Sequence, residues 1–325
     1  MISVVIPTCH RAGALRACLS SLVDQTYDKF EVIVVQCEDD EETVAAMDEY
    51  SRELSICAIT QPGGLVSQMN AGLKKSRGEI FLRTDDDIVA DKKWLSEIAG
   101  TFQLASDIGG VTGPTLIPAE RLLSRDAFLL SPQIRSQRFL FRLGSSIYSN
   151  ILLEGQPNSV GKVFRSGAWS QGSNFQFASK IKDFVEVEYL EACNMAVKKS
   201  LIERAGGFDP SFKSIGEWSE MDLSFRIRRM GHRLLFNPKA IVNHMVSRSG
   251  VFSQRVIASD RMMNFLLFYF RHMKPNSSDG WMRFLSYLSL LQAYWIFKSV
   301  SERNLRYLGG ISGTLKGLAS SPRQS

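Results

Sequence analysis

Three consecutive aspartates, Asp85, Asp86 and Asp87, directly follow the apolar run "EIFLRT". Each ionised carboxylate repels the next, so they form either a solvated turn or a site built around a cation. Carboxylate oxygens are hard ligands suited to Mg²⁺ or Mn²⁺, ions that commonly bridge a protein carboxylate and a substrate's phosphates. Asp85 and Asp87, in a bend after a strand, can share one such ion. A second acidic group lies far downstream, where "GEWSEMDLSFRIRRMG" sets Glu217, Glu220 and Asp222 ahead of Arg226, Arg228 and Arg229. The helix dipole favours acids at a helix start, which accounts for one or two of them but not for three around Trp218. A carboxylate close to a metal-bound diphosphate suits a general base that activates a hydroxyl.

The elements that position these groups alternate regularly. Residues 2–7, 30–36, 56–60 and 79–84 read as strands, and 13–25, 41–54 and 65–78 as helices, the last closed by Gly78. Short links between alternating strands and helices predict a parallel sheet covered by helices. In such sheets ligands bind beyond the carboxyl ends of the strands, where both the aspartates and "CEDDEE" fall. From about 118 to 190 the alternation stops, giving the basic amphipathic "RSQRFLFRLGSSIYSN" and a stretch rich in Gly, Ser and aromatics. Residues 189–250 recover order, with an Arg-rich helix and one strand over "RLLFNPKAIVNH".

Composition bounds the rest. The chain has 325 residues, 44% hydrophobic and 22% charged, which suits a globular protein with a full core. The start shows no charged leader or cleavage site, so no signal peptide is expected. Cys9, Cys18, Cys37, Cys57 and Cys193 have no CxxC spacing, so neither a zinc site nor a disulfide framework is expected, and a reducing compartment is the simpler reading. Of the formal charge of +6, residues from 251 onward supply +7, as ten Lys/Arg against three Asp/Glu, leaving −1 for the first 250. Trp281, Phe284, Leu288, Leu291 and Trp295 recur at helical spacing between these basic residues. Such a segment reads either as an amphipathic helix in a membrane interface or as one packed on the main domain or a second subunit. Its long aliphatic stretches argue against nucleic acid as a partner.

In order, these motifs resemble the inverting glycosyltransferases of family 2, over roughly residues 2–250. "SVVIPTCHRAGALRACLSSLVDQTY" is similar to the family's opening strand, "DDDIVADKKWL" to its DxD block and "ACNMAVKKSLIERAGGFD" to its acceptor-side segment. "SEMDLSFRIRRMGHRL" is similar to the family's ED-x-DL helix, and "AIVNHM" to the strand ending in a late histidine. The resemblance implies an α/β GT-A fold, a Rossmann-like, mostly parallel sheet flanked by helices. It divides the chain into a donor half at 1–115, an acceptor half at 116–250 and a basic amphipathic tail at 251–325.

The resemblance also implies roles. Pro7, Thr8, Arg11, Gln36, Glu38, Asp85 and Asp86 would bind a nucleotide-diphosphate sugar. Asp85, Asp87 and His244 would hold Mg²⁺ or Mn²⁺, with Asp86 the ligand if the motif is aligned one place differently. Glu220 would be the base, with Asp222 and Glu217 as rivals, and Trp218 and Glu191 would lie on the acceptor side, together with Arg165 and Trp169 as further candidates. The acceptor implied is a glycan or a lipid-linked hydroxyl, and the location the cytoplasmic, inner face of the membrane, reached through the tail. Departures are Gln36 and Cys37 in place of acids after the second strand, Met69 in place of an Arg before Asn70, and Ser219 at the first acidic position of the ED pair. No Q/R-x-x-R-W motif occurs, so processive synthases fit poorly. A non-catalytic sugar-nucleotide binder or scaffold is the alternative. A nucleotidyltransferase fits less well, because "PTCHRAGALR" lacks the Gly-rich loop that one would carry.

Overall fold

The computed structural model describes residues 1–122, 144–246 and 257–320. Residues 135–143 of the basic amphipathic segment, and 251–256 and 321–325 of the tail, lie outside the described residues. The chain runs β1 (Ile2–Thr8), α1 (Ala12–Val23), β2 (Phe30–Gln36), α2 (Glu41–Glu49), β3 (Ile56–Thr60), α3 (Leu65–Lys75) and β4 (Ile80–Arg83). Then come β5 (Ile88–Ala90), α4 (Trp94–Phe102), β6 (Ile108–Thr112), β7 (Thr115–Leu116), α5 (Ala119–Leu122), β8 (Val185–Val187), β9 (Met195–Lys198), α6 (Lys199–Arg204) and α7 (Ser219–Arg229). The chain continues through β10 (Arg233–Phe236), β11 (Val242–His244), α8 (Ala258–His272), α9 (Ser278–Ser301) and α10 (Gly309–Ser320).

The central sheet has eight strands in the order β3-β2-β1-β4-β9-β6-β10-β8. β1, β2, β3 and β4 are mutually parallel where they pair, as are β6 and β10. β9 is antiparallel to both β4 and β6, and β8 to β10, so the sheet is mixed rather than wholly parallel. β1 is buried along its whole length, because helices cover both faces of the sheet and leave no polar side to the strand. On one face Ile2, Val4, Val32 and Leu82 pack with Leu15, Leu19 and Ile98; on the other Val5, Ile33 and Phe81 pack with Met69, Leu223 and Ile227. Residues 1–115 and 116–250 therefore contribute strands to one sheet.

Three local readings are corrected. α3 ends at Lys75, not at Gly78: the amide of Ser76 closes it on Gly72. Gly78 instead lies against β1, where a Cβ would come within 2.7 Å of the Ser3 nitrogen. The single strand expected over "RLLFNPKAIVNH" is two strands in different sheets, since β11 joins β5 and β7 in a small three-stranded sheet. The five cysteines are not all unpaired, because Cys9 and Cys37 form a disulfide. The register explains it: β1 and β2 run parallel with Thr8 opposite Gln36, so the next residue of each strand emerges side by side. That pairing removes the cysteine argument for a reducing compartment.

The tail packs one face of α9 within the protein, as one of the two expected readings has it. Phe284, Leu288 and Trp295 of α9 are buried with Phe265 and Tyr269 of α8. The opposite face exposes Met282, Leu285, Ile296 and Val300, the last at 73%. Trp281 is 40% exposed and does not join the buried stripe. Among the described residues no helix is long and apolar enough to cross a membrane.

Candidate active site

β4 ends at Arg83, and the chain bends through Asp85, Asp86 and Asp87 into β5. β11 pairs antiparallel with β5, His244 opposite Ile88, and the Met245 amide donates to the Asp87 carbonyl at 2.8 Å. This register delivers the late histidine to the aspartates. His244 Nε2 lies 3.2 Å from Asp87 Oδ1 and 3.9 Å from Asp85 Oδ2. One ligand atom from each of Asp85, Asp87 and His244 falls within 4.8 Å of the others. Two carboxylates and an imidazole at that spacing fit a divalent Mg²⁺ or Mn²⁺. Burial works against protonation of His244, yet Cys193 and Asp87 beside it hold its pKa well above the usual imidazole range. A bound dication would reverse this, since only the neutral imidazole ligates.

Asp86 has different partners. Its carboxylate is 1% exposed, accepts from Thr8 Oγ1 at 2.7 Å and lies 2.9 Å from Arg11 Nη1. Burial pushes it up to about 7, with Asp87 and Asp85 adding to the effect and Arg11 and Thr8 opposing it. Arg11 Nη2 also donates to Asp87 at 2.6 Å. The crowded acids are thus offset by Arg11 behind them, Arg83 beside them and His244 in front.

These groups open into a cavity of about 370 Å³ that also takes Pro7, Glu191, Trp218 and Glu220 into its wall. Arg83, which sequence reasoning missed, is buried at its base and touches Glu220 through Nη1 and Asp85 through Nη2, the latter at 3.4 Å. An arginine two residues before an acidic triplet was the available signal. Trp218 packs edge-on to Trp169 with ring centroids 4.8 Å apart. Glu191 accepts from the Ser173 and Tyr189 hydroxyls, and burial raises its pKa. Trp94, Asn194 and Ala240 tie three motifs together in the buried interior: Trp94 Nε1 donates to Asn194 Oδ1 at 2.9 Å, and Asn194 Nδ2 to the Ala240 carbonyl at 2.8 Å.

Several expected residues stand outside the cavity. Gln36 turns its amide to Thr60 Oγ1 at 3.2 Å, and Glu38 is exposed in the loop beyond β2; neither lines the wall. Met69 is core and Asn70 brackets the backbone of Phe208. Arg165 is exposed and pairs with Glu154 and Asp279. Asp222 is wholly buried among Arg226, Arg271 and His272 and does not reach the cavity, so it does not stand as a rival base. Burial alone would raise its pKa, but His272, Arg226 and Arg271 hold it below the carboxylate range. Asp222→Asn is therefore expected to cost about 1.5–3 kcal/mol of stability at pH 7, because Arg226 and Arg271 lose a charged hydrogen-bond acceptor while keeping their other partners. A lowered folded pKa stabilises above the unfolded value and is lost as pH falls through the folded one. The gap between wild type and variant in chemical denaturation should accordingly narrow below about pH 4.

The model of the family described as "Glycosyl transferase family 2" matches residues 3–137. The chain is 21% identical over 252 residues to a glucosyl-dolichyl phosphate glucuronosyltransferase of Haloferax volcanii, covering 75% of this chain and 68% of that protein. In structure it is similar to a mannosyltransferase of Pyrobaculum calidifontis in complex with GDP-Man and Mn²⁺. That match has a TM-score of 0.55 and 16% identity, over 99% of this chain and 88% of that one. It is also similar to TarS 1–349 of S. aureus in complex with UDP-GlcNAc, with a TM-score of 0.53 and 15% identity over 97% and 88%. The chain spans 25% and 29% of the lengths of the first two curated relatives it matches. With the mixed sheet and the acidic bend at the end of β4, these matches identify a GT-A fold, and over residues 3–137 the chain is similar to glycosyl transferase family 2.

Proposed function

We propose that this chain transfers a sugar from a nucleotide-diphosphate donor to a hydroxyl of a glycan or lipid-linked acceptor, with inversion. The observation that carries this reading is that Asp85, Asp87 and His244 share one cavity with Glu220, Arg83 touching both groups. Asp85, Asp87 and His244 would hold a divalent ion, which would supply electrostatic stabilisation of the departing diphosphate. Thr8 and Arg11 hold the aspartates from behind, and Arg83 fixes the Glu220 carboxylate at the cavity floor. Glu220 takes the proton of the acceptor hydroxyl, whose oxygen bonds to the anomeric carbon from the face opposite the diphosphate. The bond to the leaving oxygen breaks as the new one forms, and its electron pair departs with the nucleotide. One displacement inverts the centre, so no protein nucleophile is required.

The test is calorimetric titration of UDP, GDP and dTDP and their sugars, with Mn²⁺ and with EDTA. Metal-dependent binding of one nucleotide supports the reading. Equal binding without metal, or binding with no turnover, favours the alternative of a non-catalytic sugar-nucleotide binder, to which the Arg83–Glu220 ion pair and Ser219 lend support.

We also propose that the tail docks on an anionic membrane face, fitting a lipid-linked acceptor. The tail exposes the apolar Met282, Leu285, Ile296 and Val300 and also Arg303, Arg306 and Lys316, a combination suited to the acidic inner leaflet. Leu285→Gln/Ile296→Gln/Val300→Gln is expected to weaken co-sedimentation with phosphatidylserine vesicles at least tenfold. Unchanged sedimentation, or a change in oligomeric state instead, would show that these apolar residues meet protein.

A further inference from the structure

We infer that Arg261, on α8 of the tail, is a positioning residue of the acceptor wall that acts through Glu217 on the turn carrying Trp218 and Glu220. This rests on the transferase reading above and goes beyond it, because it makes the tail part of the active site rather than an anchor alone.

The turn is a difficult backbone to hold. Ser214, Gly216 and Trp218 all have positive φ, at 56°, 60° and 77°, a region that side-chain-bearing residues enter only when their surroundings over-determine it. What over-determines it comes from two sides. On the donor side the Leu65 amide donates to the Ser214 carbonyl at 3.3 Å, and that carbonyl would lie 2.4 Å from any Cβ at Gly64. On the tail side three residues of one helical stretch clamp the same turn. Asp260 accepts from the Ser214 hydroxyl, and Asn264 brackets the backbone of Lys213, accepting at 2.9 Å and donating at 3.0 Å. Arg261 Nε donates to Glu217 Oε2.

Arg261 differs from its two neighbours in lining the cavity, as Glu217, Trp218 and Glu220 do. Its guanidinium is fixed from the far side by Trp295 of α9, 5.4 Å from the ring centroid, a contact that favours a cation over an aromatic face. Arg261 thus holds Glu217 against the tail, which sets where the following two residues point and keeps a second carboxylate of the same wall from turning toward the one proposed as base. Trp218 then closes the acceptor side against Trp169, and α7 begins with Glu220 facing Arg83.

The experiment uses the full chain and the nucleotide sugar found to bind, among UDP-, GDP- and dTDP-sugars with Mn²⁺. It measures nucleotide release with water as the acceptor for Arg261→Gln, Arg261→Lys, Glu217→Gln and the Glu217→Gln/Arg261→Gln double variant. Nucleotide affinity in Mn²⁺ should stay within about twofold of wild type, because the donor ligands are untouched, while kcat falls roughly 10- to 100-fold in Arg261→Gln. Arg261→Lys should recover most of the loss. The double variant should be no slower than Arg261→Gln alone, since both changes remove one interaction. An unchanged kcat, multiplicative losses in the double variant, or a loss of nucleotide affinity equal to the loss of kcat would overturn the inference. Should Arg261→Gln not fold, the Lys variant and Glu217→Gln decide by the same readouts. If wild type binds nucleotide sugar yet releases no nucleotide from any donor, the transferase reading fails, and this inference with it. If wild type turns over and the variants match it, only this inference fails.

Discussion

Asp85→Asn/Asp87→Asn is expected to reduce nucleotide affinity in Mn²⁺ to its value in EDTA and to lower turnover by roughly a thousandfold or more. The two side chains would supply two of the three groups placed to hold an ion at the cavity, and His244 alone would not hold a divalent ion against water. Asp86→Asn, one residue away, should behave differently. Its carboxylate is buried on Thr8 and Arg11, so its loss should lower stability while the metal dependence of nucleotide binding persists. Calorimetry with and without Mn²⁺ on the two variants separates ligand from support. Metal dependence lost with Asp86 and kept in the double variant would show that the register has been assigned one residue out.

Glu220→Gln carries the second large effect. If its carboxylate takes the acceptor proton, the isosteric amide should lower kcat by about 10²–10⁴-fold while leaving nucleotide affinity close to wild type. The amide also gives up the ion pair with Arg83, a guanidinium only 3% exposed whose Nε has no other partner. Thermal unfolding must therefore be measured alongside, and Arg83→Gln/Glu220→Gln serves as the control that removes the buried charge. A Glu220→Gln variant with wild-type kcat would pass the role to Glu217, another carboxylate lining the cavity three residues earlier in the chain. Asp222 offers no such fallback, since Arg226, Arg271 and His272 occupy both of its oxygens.

Much of this site was legible in the chain because its parts are local. A β-branched run buried on both faces becomes a parallel strand, and the acids that follow it emerge at the strand's carboxyl end. β2 falls on the expected residues for that reason; β3, at the sheet edge and only partly buried, falls on them as well. The grouping of Asp85, Asp87 and His244 was expected from the motif resemblance, and the structure places these residues together. Local pattern could not separate Glu220 from Asp222, because two residues apart on a helix they face different surroundings, one the cavity and the other a buried cluster of Arg and His from α7 and α8.

Other features had no local signal at all. The Cys9–Cys37 bridge depends on the pairing register of two strands 28 residues apart in sequence. The break of "RLLFNPKAIVNH" into two sheets depends on β11 finding β5. The tail's basic charge and helical spacing were plain in the sequence, and its two faces followed from them. That one turn of α8 would clamp the loop before Glu220 was not. Periodicity states which residues a helix buries, but only the packed molecule states against what, because that is fixed by contacts between segments distant in the chain.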